Sequence, residues 1–154
     1  MNRILFICST NTSLSPLAVA IAQNMLATEA SLLTFHSAGT HAGKTARTAT
    51  HTAIEYARLL GIDLASHRSR QISQEMINES QLVLCMSEEQ FWFVKDEFNI
   101  SKNVQLRMIT EFSAQLGVRE IADPLLGECT YDYAVEWLTK SLQGLFQHLQ
   151  VTKA

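Results

Sequence analysis

The chain has 154 residues, 47% hydrophobic and 18% charged, which suits one domain with a substantial core. Twelve Lys and Arg against fifteen Asp and Glu leave a net charge of −3. That balance argues against a nucleic-acid footprint and against binding to an anionic membrane. Cys8, Cys85 and Cys129 are an odd number without C-x-x-C spacing, so neither a disulfide framework nor a structural zinc site is expected. The five histidines have no ligand spacing with cysteine or carboxylate, so no metal and no cofactor is predicted. A reduced, cytoplasmic protein is the simplest reading.

In chain order, Ile4–Ile7 is a short apolar run with branched side chains, the pattern of a buried strand. It is too short for a signal core, and no stretch approaches the roughly 18 apolar residues of a membrane span. Residues 9–13 are small and polar, a loop composition. Ser15-Pro16 looks like a helix start, with Ser15 as N-cap and Pro16 first in a helix running towards Ala27. A weaker strand, Leu32–His36, leads into Ser37-Ala38-Gly39-Thr40. A helix from about Thr48 to Leu60 stops at Gly61. Ser73–Glu79 reads as a short helix capped by Ser73, and Gln81–Met86 as a second buried strand. Ser87-Glu88-Glu89 opens a further helix with acidic residues in its first turn. Val104–Met108 is a further strand, and a stripe from Tyr133 to Leu149 is a closing helix. The resulting expectation is a single-domain, three-layer α/β/α fold over residues 1–154 with a central, mostly parallel four-stranded sheet. Sites in such folds lie at the carboxyl ends of strands.

That rule points first to the loop after the first strand. A cysteine at a strand end, facing backbone N–H groups and a helix N-terminus, sits in an anion-attracting cradle that also favours thiolate. Taken alone, Cys8 reads rather as a small buried hydrophobe, the usual fate of a free cysteine. The polar loop and the Ser-Pro helix start favour the functional reading.

The run Ile7-Cys8-Ser9-Thr10-Asn11-Thr12-Ser13-Leu14-Ser15-Pro16 resembles the phosphate-binding loop of low-molecular-weight protein tyrosine phosphatases, which is a cysteine, five residues, arginine and serine, often then proline. Ser37-Ala38-Gly39-Thr40 is similar to the family's second motif. Leu60-Gly61-Ile62-Asp63 with Ser66-His67-Arg68-Ser69-Arg70-Gln71 is similar to its middle segment, and Ala122-Asp123-Pro124 with Gly127 to its general-acid loop. Each match is short; four in order over nearly the whole chain are specific. The resemblance implies that Cys8 is a nucleophile that becomes phosphorylated, that Asp123 is the general acid and then base, and that Ser15 donates to the thiolate. It implies a phosphate-binding loop of Cys8, Ser9, Thr10, Asn11, Thr12, Ser13, Leu14 and Ser15, supported by Asn11, Ser37 and His67. Without the resemblance, Asn11 reads as a turn residue, His67 as a surface residue and Asp123 as an extended residue before proline.

The chain departs from the family at Leu14, where the pattern has arginine. Arginine is the side chain that clamps two phosphate oxygens and stabilises thiolate. One lost preorganised donor costs about 10²–10³ in rate, and an arginine serving phosphoryl transfer is worth roughly 10³–10⁵. Turnover is therefore expected to be weak or absent. Arg47, Arg68 and Arg70 substitute only if the fold brings one over the loop, which is not expected. With Ser15 as cap, Leu14 and Val19 have the spacing of a hydrophobic staple. Thr10 replaces a frequent glycine, Ser13 a frequent second cysteine, and Leu125-Leu126 a frequent aromatic pair. Tyr131 and Tyr133 are expected to pack on the last helix, and Phe91-Trp92-Phe93 in the core.

These readings leave a phosphatase with a damaged anion clamp in front. Its expected partners are phosphate or sulfate in the loop and a phosphotyrosine protein, without nucleic acid or membrane. A pseudophosphatase that captures phosphate or phosphotyrosine is the alternative. A phosphocysteine carrier, similar to the IIB components of sugar phosphotransferase systems, is disfavoured by Asp123-Pro124 and by length. Arsenate reduction needs relay cysteines, for which Cys85 and Cys129 are poorly placed. Nothing in the sequence sets an oligomeric state.

Overall fold

A computed structural model describes residues 2–113 and 117–150. Four strands, β1 (Asn2–Cys8), β2 (Leu33–Gly39), β3 (Leu82–Cys85) and β4 (Gln105–Met108), form one sheet in the order β2-β1-β3-β4. All three pairings are parallel. The helices are α1 (Leu14–Met25), α2 (His51–Leu59), α3 (Gln74–Asn78), α4 (Glu88–Glu97) and α5 (Tyr131–His148). The expected single-domain layered α/β architecture is the observed one, and the sheet is parallel throughout.

Side-chain alternation along β1 explains its continuous apolar run. Ile4, Phe6 and Cys8 enter one core with α1, α2 and α5, while Leu5 and Ile7 enter a second with α3 and α4. A strand buried on both faces has no polar side to show. The same period sends Leu84 to the first core and Val83 and Cys85 to the second. It also turns Cys8 towards α1 at the carboxyl end of the central strand.

The helix starts follow local chemistry with one exception. Thr50, Ser73, Ser87 and Thr130 accept from the backbone N–H three residues on, and Ser87 forms a full capping box with Gln90. In α1, the sequence signal is displaced. The helix begins at Leu14, Ser13 holds the cap position, and Ser13 makes no capping hydrogen bond. Ser15 is inside the first turn, and its hydroxyl is engaged by Cys8 and Asn11. Pro16 is tolerated there because first-turn N–H groups have no intrahelical acceptor. This register removes the Leu14–Val19 staple. Leu14 is instead 1% exposed within the first core, worth about 1.5–3 kcal/mol of apolar burial.

Trp92 also departs from expectation. It is 53% exposed, with the Lys95 ammonium 5.2 Å above its ring, while Phe91 and Phe93 pack against the second core. Tyr133 does lie along α5, its ring 5.8 Å from Trp137. Among the described residues, no helix is long and apolar enough to cross a membrane.

The closing helix is held close by a missing side chain. A Cβ on Gly144 would stand 1.8 Å from the Phe112 carbonyl oxygen, in the 3-10 turn Ile109–Phe112. At an open helical position, glycine to alanine stabilises by about 0.5–1 kcal/mol. Here Gly144→Ala is expected to destabilise by about 1–3 kcal/mol, the range of overpacking, read as a lower urea midpoint.

Candidate active site

The loop between β1 and α1 is tied down from outside through its backbone. Thr40 N–H donates to Cys8 O at 3.0 Å, His41 N–H to Ser9 O at 2.8 Å, and Thr50 N–H to Thr12 O at 2.8 Å. Inside this frame Asn11 adopts a left-handed backbone, φ 58°, a conformation asparagine tolerates better than most side chains. Its amide donates to Cys8 Sγ at 3.3 Å, and its Nδ2 donates to Ser15 Oγ at 2.8 Å. Its Oδ1 accepts from the Arg70 N–H at 3.0 Å. Its carbonyl lies 2.8 Å from His67 Nε2, which must carry the proton because a carbonyl only accepts. Ser15 Oγ accepts from Asn11, so its own hydrogen is free for Cys8 Sγ, 2.9 Å away.

Gly39 provides close contact beneath the loop. A Cβ there would lie 2.6 Å from Ser9 O and 3.0 Å from Asn11 N. Ser37 reaches the loop indirectly, through a carbonyl that accepts from Arg70 Nε at 3.1 Å. Two further side chains brace the loop that sequence reasoning did not single out for this. Tyr131 Oη accepts from Ser13 Oγ at 3.1 Å and lies 3.0 Å from Thr50 Oγ1. Gln90 Nε2 donates to Ser9 Oγ at 3.3 Å, while its Oε1 accepts from the amides of Met86 and Ser87. Tyr131 is on the last helix as expected, as the first residue of α5, and its hydroxyl also serves the loop. Partners so far apart in the chain leave no spacing signal.

Among the described residues, the amides of Ser9, Thr10, Thr12 and Ser13 donate to no protein acceptor. They adjoin an α1 terminus whose cap side chain is turned away to Tyr131. Free amides at an uncapped helix start are what a tetrahedral anion requires.

The charges are less favourable to chemistry. Burial pushes the Cys8 thiol up; hydrogen bonds from Ser15 and Asn11 oppose this, and the Asp123 charge adds to the rise. No arginine contributes. Arg70 is turned to Ser37 O, Arg68 donates to Ala65 O and His67 O, and Arg47 meets Ser69 through its backbone. Asp123 precedes a 3-10 turn, Pro124–Leu126, and accepts from the Leu125 N–H at 2.9 Å. Its carboxyl is raised by burial, lowered by that N–H and raised again by Glu128. Cys129 donates to Ala122 O at 3.4 Å, and Cys85 is buried on the opposite face of the sheet. Among the described residues, no three His, Cys, Asp or Glu side chains converge to hold a metal.

The low molecular weight phosphotyrosine protein phosphatase family model matches residues 3–154. The chain belongs to this family. Solved structures of similar fold include YfkJ from Bacillus subtilis, 18% identical over 97% of this chain and 95% of that one, with a TM-score of 0.88. The low molecular weight protein tyrosine phosphatase from T. tengcongensis is 23% identical over 96% and 99%, TM-score 0.82. The Drosophila arginine phosphatase DARP is 17% identical over 99% and 100%, TM-score 0.87. No curated protein sequence gives a significant match.

Asn11 is the point at which this family loop is most easily tested. Asn11→Ala loses two side-chain bonds and keeps an unfavourable φ, for an expected loss of about 2–4 kcal/mol in urea unfolding. Asn11→Gly retains the backbone freedom and should lose about 1 kcal/mol less.

Proposed function

We propose that this chain is a phosphomonoester-binding member of the low molecular weight phosphatase family whose hydrolysis is strongly impaired. The reading rests on one observation: amides of the loop at Cys8 stand free beside an uncapped helix, while Leu14 occupies the arginine position and is buried. The amides supply an anion site. The leucine removes the cation that phosphoryl transfer uses.

In the proposed reaction, the Cys8 thiol first loses its proton to solvent. The thiolate attacks phosphorus, the bond to the leaving oxygen breaks, and Asp123 protonates that oxygen. Water then attacks the phosphocysteine, Asp123 takes its proton, and the sulfur leaves as thiolate with release of inorganic phosphate. Ser15 donates to the sulfur, and Asn11, His67 and Ser37 hold the loop shape. A raised Asp123 fits the first step, since the acid must carry a proton. A raised Cys8 opposes it, since the thiol is not the nucleophile. Phosphotyrosine is the substrate class that family membership suggests, and the exposed Leu125 and Leu126 offer its ring no aromatic partner.

Non-catalytic capture of phosphate or phosphotyrosine is the second reading. The same free amides favour it, because donor groups suffice for binding where charge is needed for transfer.

Aryl-phosphate hydrolysis by the wild type, Leu14→Arg and Cys8→Ser separates the two. The hydrolase reading expects a slow wild-type rate that Cys8→Ser abolishes and Leu14→Arg raises by about 10²–10³. A wild-type rate equal to Cys8→Ser would leave capture alone, which millimolar phosphate should then report as a higher melting temperature. Neither a rate nor a shift would remove both readings. Because the thiol is raised, alkylation of Cys8 by iodoacetamide at pH 7 should be slower than that of free cysteine. Its rate should climb on moving to alkaline pH, beyond the point where a free thiol has levelled off.

A further inference from the structure

Beside the first turn of α1 lies a second cavity, of about 200 Å³, bounded by β2 and by the chain around His67. None of residues 8–15 lines it. Four basic side chains do, His36, His67, Arg68 and Arg70, and no carboxylate. In a chain of net charge −3 this is an uneven placement. Arg3, Arg58, Arg107 and Arg119 each face a carboxylate, whereas among the described residues Arg68 and Arg70 have none. Their hydrogen bonds go to the carbonyls of Ser37, Ala65 and His67, which orient the guanidinium groups without neutralising them. His36 Nε2 is closed off from solvent and has no hydrogen-bond partner among the described residues. Such an atom calls for a ligand or water.

We infer that this cavity is a second oxyanion site, which takes inorganic phosphate independently of the amide cradle at Cys8. Two guanidinium groups without a carboxylate partner, with two histidines among the lining residues, form a recognition set for a tetrahedral dianion, with arginine supplying paired donors. The crowding of like charge agrees. Burial lowers His36, with Arg3 and Arg70 adding to the effect and Glu79 opposing it. Burial lowers His67, the Asn11 carbonyl opposes, and Arg70 and Arg68 lower it further. An anion would relieve this repulsion and favour both imidazolium forms. The occupant would also sit against the groups that brace the loop, since the Arg70 amide and the His67 ring both hold Asn11. Turnover is not required for any of this.

The test is an NMR titration with inorganic phosphate, at ionic strength balanced with chloride, that follows the His36 and His67 rings and the amides of residues 9–13. The rings should shift saturably in the millimolar range, and their pKa values should rise by about one unit. While Arg68→Gln, which spares the Arg70 bond to Ser37 O, should leave the response of the loop amides in place, Arg68→Gln with Arg70→Gln should weaken the ring response by about tenfold. Arg68→Gln alone, at an exposed position without a contact to the loop, should weaken it in the same direction and guards against a folding defect in the double variant. A ring response that tracks the loop amides with one constant, that ignores both arginine substitutions, or that never saturates overturns the proposal.

Discussion

Everything at the carboxyl end of β1 depends on one left-handed residue. Asn11 at φ 58° costs about 1–2 kcal/mol of backbone strain, which its hydrogen bonds offset. Its four polar groups go in four directions: to the Cys8 sulfur, to Ser15 in the first turn of α1, to the Arg70 amide and to the His67 ring. The Cys8 sulfur, the helix start and the wall beyond the loop are thus joined at a single residue, through its backbone and its side chain. Reversing the backbone there is also what allows the amides on either side to remain unpaired within the protein. Gly39 completes the arrangement from below, since no side chain fits between it and Ser9 O.

On the reading proposed above, the loop exchanges thiol activation for stability while keeping donors for an anion. Free amides and a helix terminus amount to a partial positive charge of about one half, which attracts an anionic ligand. Thiol activation requires more, because Cys8 is fully enclosed and burial is the largest influence on it. Two hydrogen bonds to sulfur oppose the burial without overcoming it. Leu14 explains the direction of the exchange. Its burial contributes about 1.5–3 kcal/mol to folding, while loss of one preorganised donor costs about 2.7–4 kcal/mol at a transition state. On that reading the position serves the stability of α1 and the core instead of a developing charge.

The frame of the molecule was legible in the sequence where burial or capping leaves a local mark. β1 and β3 are apolar on both faces, and Ser73 and Ser87 start their helices as their spacing indicates. Ser15 misled because Ser-Pro is a good start signal, while the decisive fact is tertiary: its hydroxyl is taken by Cys8 and Asn11. Trp92 is expected in the core with Phe91 and Phe93, but one helical face cannot hold three consecutive side chains. The roles expected of Cys8, Asn11, His67 and Asp123 come from resemblance to a family motif. Composition alone left each with an ordinary structural explanation. Tyr131 and Gln90 were missed as loop supports because they meet it only when α5 and α4 pack, across 118 and 81 residues of chain.

Among the described residues, the absence of a cation over Cys8 does not reflect a shortage of arginine nearby. Arg70 donates its main-chain N–H to Asn11 and is therefore adjacent to the loop, yet its guanidinium is directed to Ser37 O. Bringing that group to the sulfur would break the Ser37 bond and draw it away from the cavity it lines with His36 and His67. Its amide would also have to stay in place, since Asn11 depends on it. Positive charge in this region is thus held on the far side of Asn11 from the sulfur, fixed by the same residue that shapes the loop. Arginine is missing at position 14, but charge is present next to the residue that bonds Cys8, and the fold directs it elsewhere.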